Sequence, residues 1–163
     1  MRTLRFPVIT LLASGLALAA PAMAAPSGSK DVVKVNLQVF KVKVDGGKES
    51  LVEGKTAKPG EVLEYQATYS NTGAKPVSNL QATLPVPQGM VYVPKSANPI
   101  VVQASTDGAT FAPAPLLRKK EGGVGMEPVP VEDYRALRWQ VSTLGAGSSL
   151  MVSARMKVGG AGN

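Results

Sequence analysis

Four segments of this chain alternate apolar and polar residues with a period of two. That period restricts the possible folds more than any other feature. Leu63, Tyr65, Ala67 and Tyr69 alternate with Glu64, Gln66, Thr68 and Ser70. Leu80, Ala82 and Leu84 alternate with Gln81 and Thr83, and Leu137, Trp139 and Val141 with Arg138 and Gln140. Leu150, Val152, Ala154, Met156 and Val158 alternate with Met151, Ser153, Arg155 and Lys157. Successive strand side chains point to opposite faces, so each segment reads as a strand with one buried face. No window of ten or more residues beyond residue 24 shows a helical period. The 13 prolines and 17 glycines punctuate the chain at strand-like intervals. About seven to nine short strands spaced this way predict an all-β, immunoglobulin-like antiparallel sandwich.

The segments between follow the same logic. Val33, Val35, Leu37 and Val39 share one parity, and Phe40, Val42 and Val44 continue on the other. A one-residue phase change predicts a bulge, or a strand that passes from one sheet to the other. Asp45-Gly46-Gly47 reads as a turn. Glu49 to Lys58 is polar apart from Leu51 and Val52. Pro59-Gly60 predicts a type II turn, and Asn71-Thr72-Gly73 a tight reversal. Pro85 and Pro87 end one strand, since proline cannot donate to a ladder. Short strands are expected at Val91–Val93 and at 100–103, with Asp107-Gly108 making a hairpin to Thr110-Phe111. Residues 112–130, rich in Pro, Gly and charge, read as a long loop with at most one short strand near Leu116.

The first 24 residues do not share this pattern. Arg2 and Arg5 precede an apolar run from Phe6 to Ala20, then Pro21 and Ala22-Met23-Ala24. Charge, apolar run and small-residue site are the parts of a secretory signal peptide, with cleavage expected after Ala24. The run is short for a bilayer span of about 20 residues. Arg2 and Arg5 are not adjacent, so the general secretory route is expected and not the twin-arginine one. The organisation predicted is a leader at 1–24, a flexible lead-in at 25–30, one sandwich domain at 31–158 and a flexible tail at 159–163. The expected location is the periplasm or the exterior. No second membrane-length apolar stretch follows.

Removing Arg2 and Arg5 with the leader takes the net charge from +7 to +5. The remaining positive charge is spread along the chain, with its densest cluster at Arg118-Lys119-Lys120. Spread charge reads as a solvated surface, or as a contact for an anionic polymer. It gives no sign of specific nucleic-acid recognition.

Several motifs recur in a recognisable order. They are Lys58-Pro59-Gly60, Tyr65-x-x-x-Tyr69-x-Asn71-Thr72-Gly73, Leu84-Pro85-x-Pro87-x-Gly89-Met90-Val91-Tyr92, Leu137-Arg138-Trp139 and Leu144-x-x-Gly147. Their order resembles the bacterial cell-surface conserved-repeat domain, the family of unknown function numbered eleven, over roughly residues 55–158. The resemblance implies an immunoglobulin-like sandwich in an exported or surface protein. Members of that family often occur as tandem repeats in large envelope or adhesin-like proteins. This chain has one copy with an added N-terminal strand. The family brings no catalytic residues to carry over.

The residues themselves point away from catalysis. With no His and no Cys, the Ser-His-Asp and Cys-His constellations and the usual zinc sets are missing. Glu132 and Asp133 are adjacent, so on a strand they would face opposite sides. Asp45-Gly46-Gly47 with Glu49 lacks the carboxylate density of a calcium loop. Gly122-Gly123-x-Gly125 lacks the strand-to-helix context of a phosphate loop. No cofactor, metal or catalytic residue is expected. Trp139, Tyr65 and Tyr69 read as core. Arg118, Lys119, Lys120 and Tyr92 are the candidate contacts with a partner. The function expected is a non-catalytic structural or protein-interaction module of the bacterial envelope, with envelope or surface proteins as partners. The alternative is a periplasmic carrier or chaperone-like binder that takes a strand onto an open edge.

Overall fold

The computed structural model describes residues 32–54 and 56–159. The leader, its cleavage site and most of the lead-in and tail lie outside them. Eleven strands alternate with turns: β1 (Val33–Asp45), β2 (Lys48–Glu53), β3 (Val62–Asn71), β4 (Val77–Pro85), β5 (Met90–Tyr92), β6 (Gln103–Ser105), β7 (Ala112–Pro113), β8 (Leu117–Lys119), β9 (Met126–Pro128), β10 (Ala136–Leu144) and β11 (Ser149–Val158). One short 3-10 turn, Val131–Asp133, is the only helical element among the described residues.

The strands form an antiparallel β-sandwich. One sheet runs β2-β1-β3-β11-β5 and the other β4-β10-β6-β7, while β8 and β9 pair separately. The alternating segments are its centre. Ala67 and Tyr69 of β3 and Val152, Ala154 and Met156 of β11 face Ala82 and Leu84 of β4 and Leu137 and Trp139 of β10, all buried. Tyr69 spans the layers, its hydroxyl donating to the Thr83 carbonyl at 2.7 Å. Trp139 is core, and its indole N–H donates to the Pro99 carbonyl at 2.7 Å. Tyr65 is half-buried against the same core.

The turns follow their residues. Gly60 has a φ of +85° and the Glu61 amide donates back to Lys58, as the Pro-Gly pair requires. Asn71 is fully buried at the reversal after β3. Its Nδ2 donates to the carbonyls of Lys75, Leu144 and Gly145, and its Oδ1 accepts from the Gly73 amide. One amide therefore ties the β3–β4 connection to the β10–β11 connection. The Asp107 carboxylate accepts from the Ala109 and Thr110 amides, closing the β6–β7 hairpin.

Three expectations need correcting. First, β1 has neither a bulge nor a change of sheet. Its register with β3 is unbroken from Val33↔Asn71 to Lys41↔Leu63, and with β2 from Phe40↔Glu53 to Asp45↔Lys48. The apolar parity changes because the covered face changes. Arg155, Glu64, Phe40 and Glu53 form one cross-strand row. In a flat sheet Glu49 and Arg155 would then lie roughly 20 Å apart. They instead form a two-pronged pair, with contacts of 3.1 and 2.8 Å. The β1–β2 ribbon therefore coils over the outer face of its sheet, and Phe40 and Val42 lie half-buried on its concave side. Second, the strands expected at 100–103 and at Thr110-Phe111 lie instead at Gln103–Ser105 and Ala112–Pro113; residues 48–53, for which no element was expected, form β2, exposed at all but Val52. Third, residues 112–130 are not one long loop. They hold β7 and the β8–β9 hairpin.

Candidate interaction surfaces

The predicted contact residues separate in space. Arg118 and Lys119 lie on β8, and Lys120 begins the hairpin tip, its amide donating to Gly125 at 3.2 Å. The Arg118 guanidinium pairs with Glu127 on β9 at 2.8 Å, and this holds its already high pKa higher still. Lys119 and Lys120 are exposed and enter no ion pair among the described residues. The glycines of 122–125 form the turn of this hairpin. Tyr92 is not a surface contact. It is 5% exposed and stacks on Tyr134 with ring centroids 6.1 Å apart; burial pushes its hydroxyl pKa up. The Tyr134 hydroxyl accepts from the Leu116 amide at 2.8 Å, which seats the base of the hairpin on the sandwich. Glu132 and Asp133 are exposed in the 3-10 turn.

Two features escaped sequence reasoning. The first is a cleft on one flank of the sandwich. β10 pairs with β4 from Ala136 to Leu144, but with β6 only through Ala136, Leu137 and Arg138. β11 pairs with β3 from Ser149 to Lys157. On its other flank it meets β5 only from Met156 to Val158, and Asn98 opposite Ser153. Gln140–Leu144 and Ser149–Val152 thus each have an open flank on the same side, one in each sheet. Between them lies a cleft of about 510 Å³ lined by Pro99, Val101, Trp139, Val141, Leu150 and Val152 among others. Its inner end reaches fully buried core at Val152, and Val101 stands 84% exposed at its rim. The one charged group on it, Arg138, is engaged elsewhere: its guanidinium lies 3.5 Å from the Phe111 ring centroid, and Nε donates to Thr83 Oγ1. Free strand flanks offer backbone donors and acceptors, and the lining is mostly apolar, with Gln103, Gln140, Ser142 and the engaged Arg138 as its polar members. This chemistry suits an extended, apolar polypeptide segment.

The second feature is an uncovered stripe on β1. Val33, Val35, Leu37 and Val39 share the inward parity of β3, where Val35, Leu37 and Val39 stand directly opposite Tyr69, Ala67 and Tyr65. β3 lies over β4, the edge strand of the facing sheet, so β1 overhangs. Val35 is 56% and Leu37 50% exposed as a result.

Comparison with protein-family models, with curated proteins and with solved structures finds no match to this chain.

Proposed function

We propose that this chain is an exported, non-catalytic interaction module of the bacterial cell envelope, related to the conserved-repeat domains, which receives an extended segment of another envelope protein in the β10–β11 cleft. The observation that carries this reading is the coincidence of two unpaired strand stretches with an apolar slot between them that reaches the core. Extending either ladder would satisfy exposed backbone groups, and alternate side chains of the guest would fill the slot beside the other strand. The signal-like leader supplies the envelope part of the reading.

The test uses two synthetic peptides of equal composition, one alternating valine and threonine, the other with the valines in a block. Amide hydrogen exchange of the exported protein should show added protection at Gln140–Leu144 or Ser149–Val152 with the alternating peptide only. Val101→Lys, at an exposed position, should weaken that binding about tenfold or more while leaving stability within about 0.5 kcal/mol. Protection confined to the β8–β9 hairpin, or none anywhere, would sink the proposal.

A further inference from the structure

We infer that the overhanging stripe of β1 is the self-association surface of the protein: two copies pack through it, face to face, as a two-fold dimer. Each sheet pair is one strand short on this side. The β1 strand overhangs the facing sheet, which ends at β4. From Val33 to Gln38 its own outer flank has no strand beside it among the described residues, since β2 joins only at Phe40. A two-fold axis along the strands, midway between the layers, sets the β1 of one copy over the β1 of the other. Each then fills the place beside the other's β4. The overhang of one molecule is the deficit of its partner, which is the self-complementarity that a two-fold interface demands.

Other occupants fit less well. A lone peptide strand would have to pair with the β4 edge, and that edge is blunted. Asn79 sits at a φ of +55° in mid-strand, the Thr83 carbonyl already accepts from the Tyr69 hydroxyl, and Pro85 has no N–H to donate. Face-to-face packing of side chains needs no ladder there. Once the leader is removed, as the proposed function assumes, the segments beside the sandwich, Ala25-Pro-Ser-Gly-Ser-Lys30 and Gly159-Gly-Ala-Gly-Asn163, hold no large apolar residue with which to cover the stripe. The stripe also meets its own copy without electrostatic cost. Val33, Val35, Leu37 and Val39 carry no charge, and Lys41, next on the same face, is paired with Glu61 at 2.9 Å. A seven-residue strip is about 23 Å long. That covers less than the ~800 Å² per partner of a standard interface, so the dimer is reversible and concentration-dependent.

The exported protein, its N-terminus verified by intact mass, should shift from monomer toward dimer in sedimentation equilibrium as its concentration is raised from micromolar to millimolar. Leu37→Lys should remain monomeric throughout, with an unchanged unfolding midpoint because residue 37 is half exposed. The chain has no native cysteine, so Leu37→Cys gives a single thiol that a short bis-maleimide should cross-link into a dimer. Met151→Cys, exposed on the opposite face of the same sheet, should not cross-link. A wild-type protein that stays monomeric at millimolar concentration, or a dimer that survives Leu37→Lys, overturns the inference. Peptide protection of the β10–β11 cleft should be the same in Leu37→Lys, so failure of one proposal is readable apart from the other.

Discussion

The Asn71 side-chain amide bonds four backbone groups from two separate connections while fully buried. Removing a buried partner of this kind strands several polar groups at about 1–3 kcal/mol each. Asn71→Ala should therefore cost at least about 3 kcal/mol in urea unfolding, and Asn71→Asp, which aims a carboxylate at three carbonyls, no less. Trp139→Ala should cost roughly 3–5 kcal/mol, since it opens a cavity and orphans the Pro99 carbonyl that the indole now satisfies. Unfolding midpoints of the purified variants measure both; a loss below about 1 kcal/mol in either would remove that residue from the framework. Both positions were legible in the sequence, Asn71 as a turn residue and Trp139 by parity. What the sequence does not show is that Asn71 reaches across the sheets, because Leu144 and Gly145 lie more than 70 residues away. Nor does local pattern reveal that Tyr92 is buried: its three-residue strand is too short to show a parity, and its cover, Tyr134, comes from a distant segment.

Among the strands, legibility tracks burial on one face only. The β3, β4, β10 and β11 strands announce themselves by alternation, while β2, exposed on both sides, has no reason to alternate. The coiling of the β1–β2 ribbon explains the phase change that mimicked a bulge, and it rests visibly on the Glu49–Arg155 pair. The Arg155 guanidinium holds the Glu49 carboxyl below its usual range, by hydrogen bonding first and by charge second. The Lys58 amide and Lys41 do the same for Glu61, and the Thr110 and Ala109 amides with the Ser105 hydroxyl for Asp107. Depressed folded-state values mean that these groups stabilise the fold above their unfolded pKa values, near 4.5 for Glu and 3.8 for Asp. That contribution is lost as pH falls through the lower folded values. The urea midpoint should be flat from neutrality to about pH 5 and fall below about pH 4. Glu49→Gln should flatten part of that fall and raise hydrogen exchange at the β1–β2 ribbon, more at low salt than at high. An acid limb identical in wild type and Glu49→Gln would show that the ribbon is not held by this pair.

For the whole molecule, the sandwich was readable from punctuation and period, but both proposed surfaces were not. Each is defined by pairing that stops short, and where a ladder stops depends on the lengths of strands distant in sequence. The leader remains a sequence inference; intact mass of the exported protein should place the N-terminus at Ala25 or within a few residues of it, and retention of Met1 would defeat the export reading. The order of the strands carries a further consequence. The two latest strands, β10 and β11, are not at the margins: β10 separates β4 from β6, and β11 separates β3 from β5. Until residues 136–158 have been made, β4 and β6 lack the strand between them and so do β3 and β5. A chain delivered N-terminus first can pair β1 with β2 and β3 early, but β5 joins that sheet only when the final strand arrives. The complete sandwich thus waits for the last residues to leave any narrow pore, and a ribosome stalled before residue 149 would leave a product in which β5 has no strand to join.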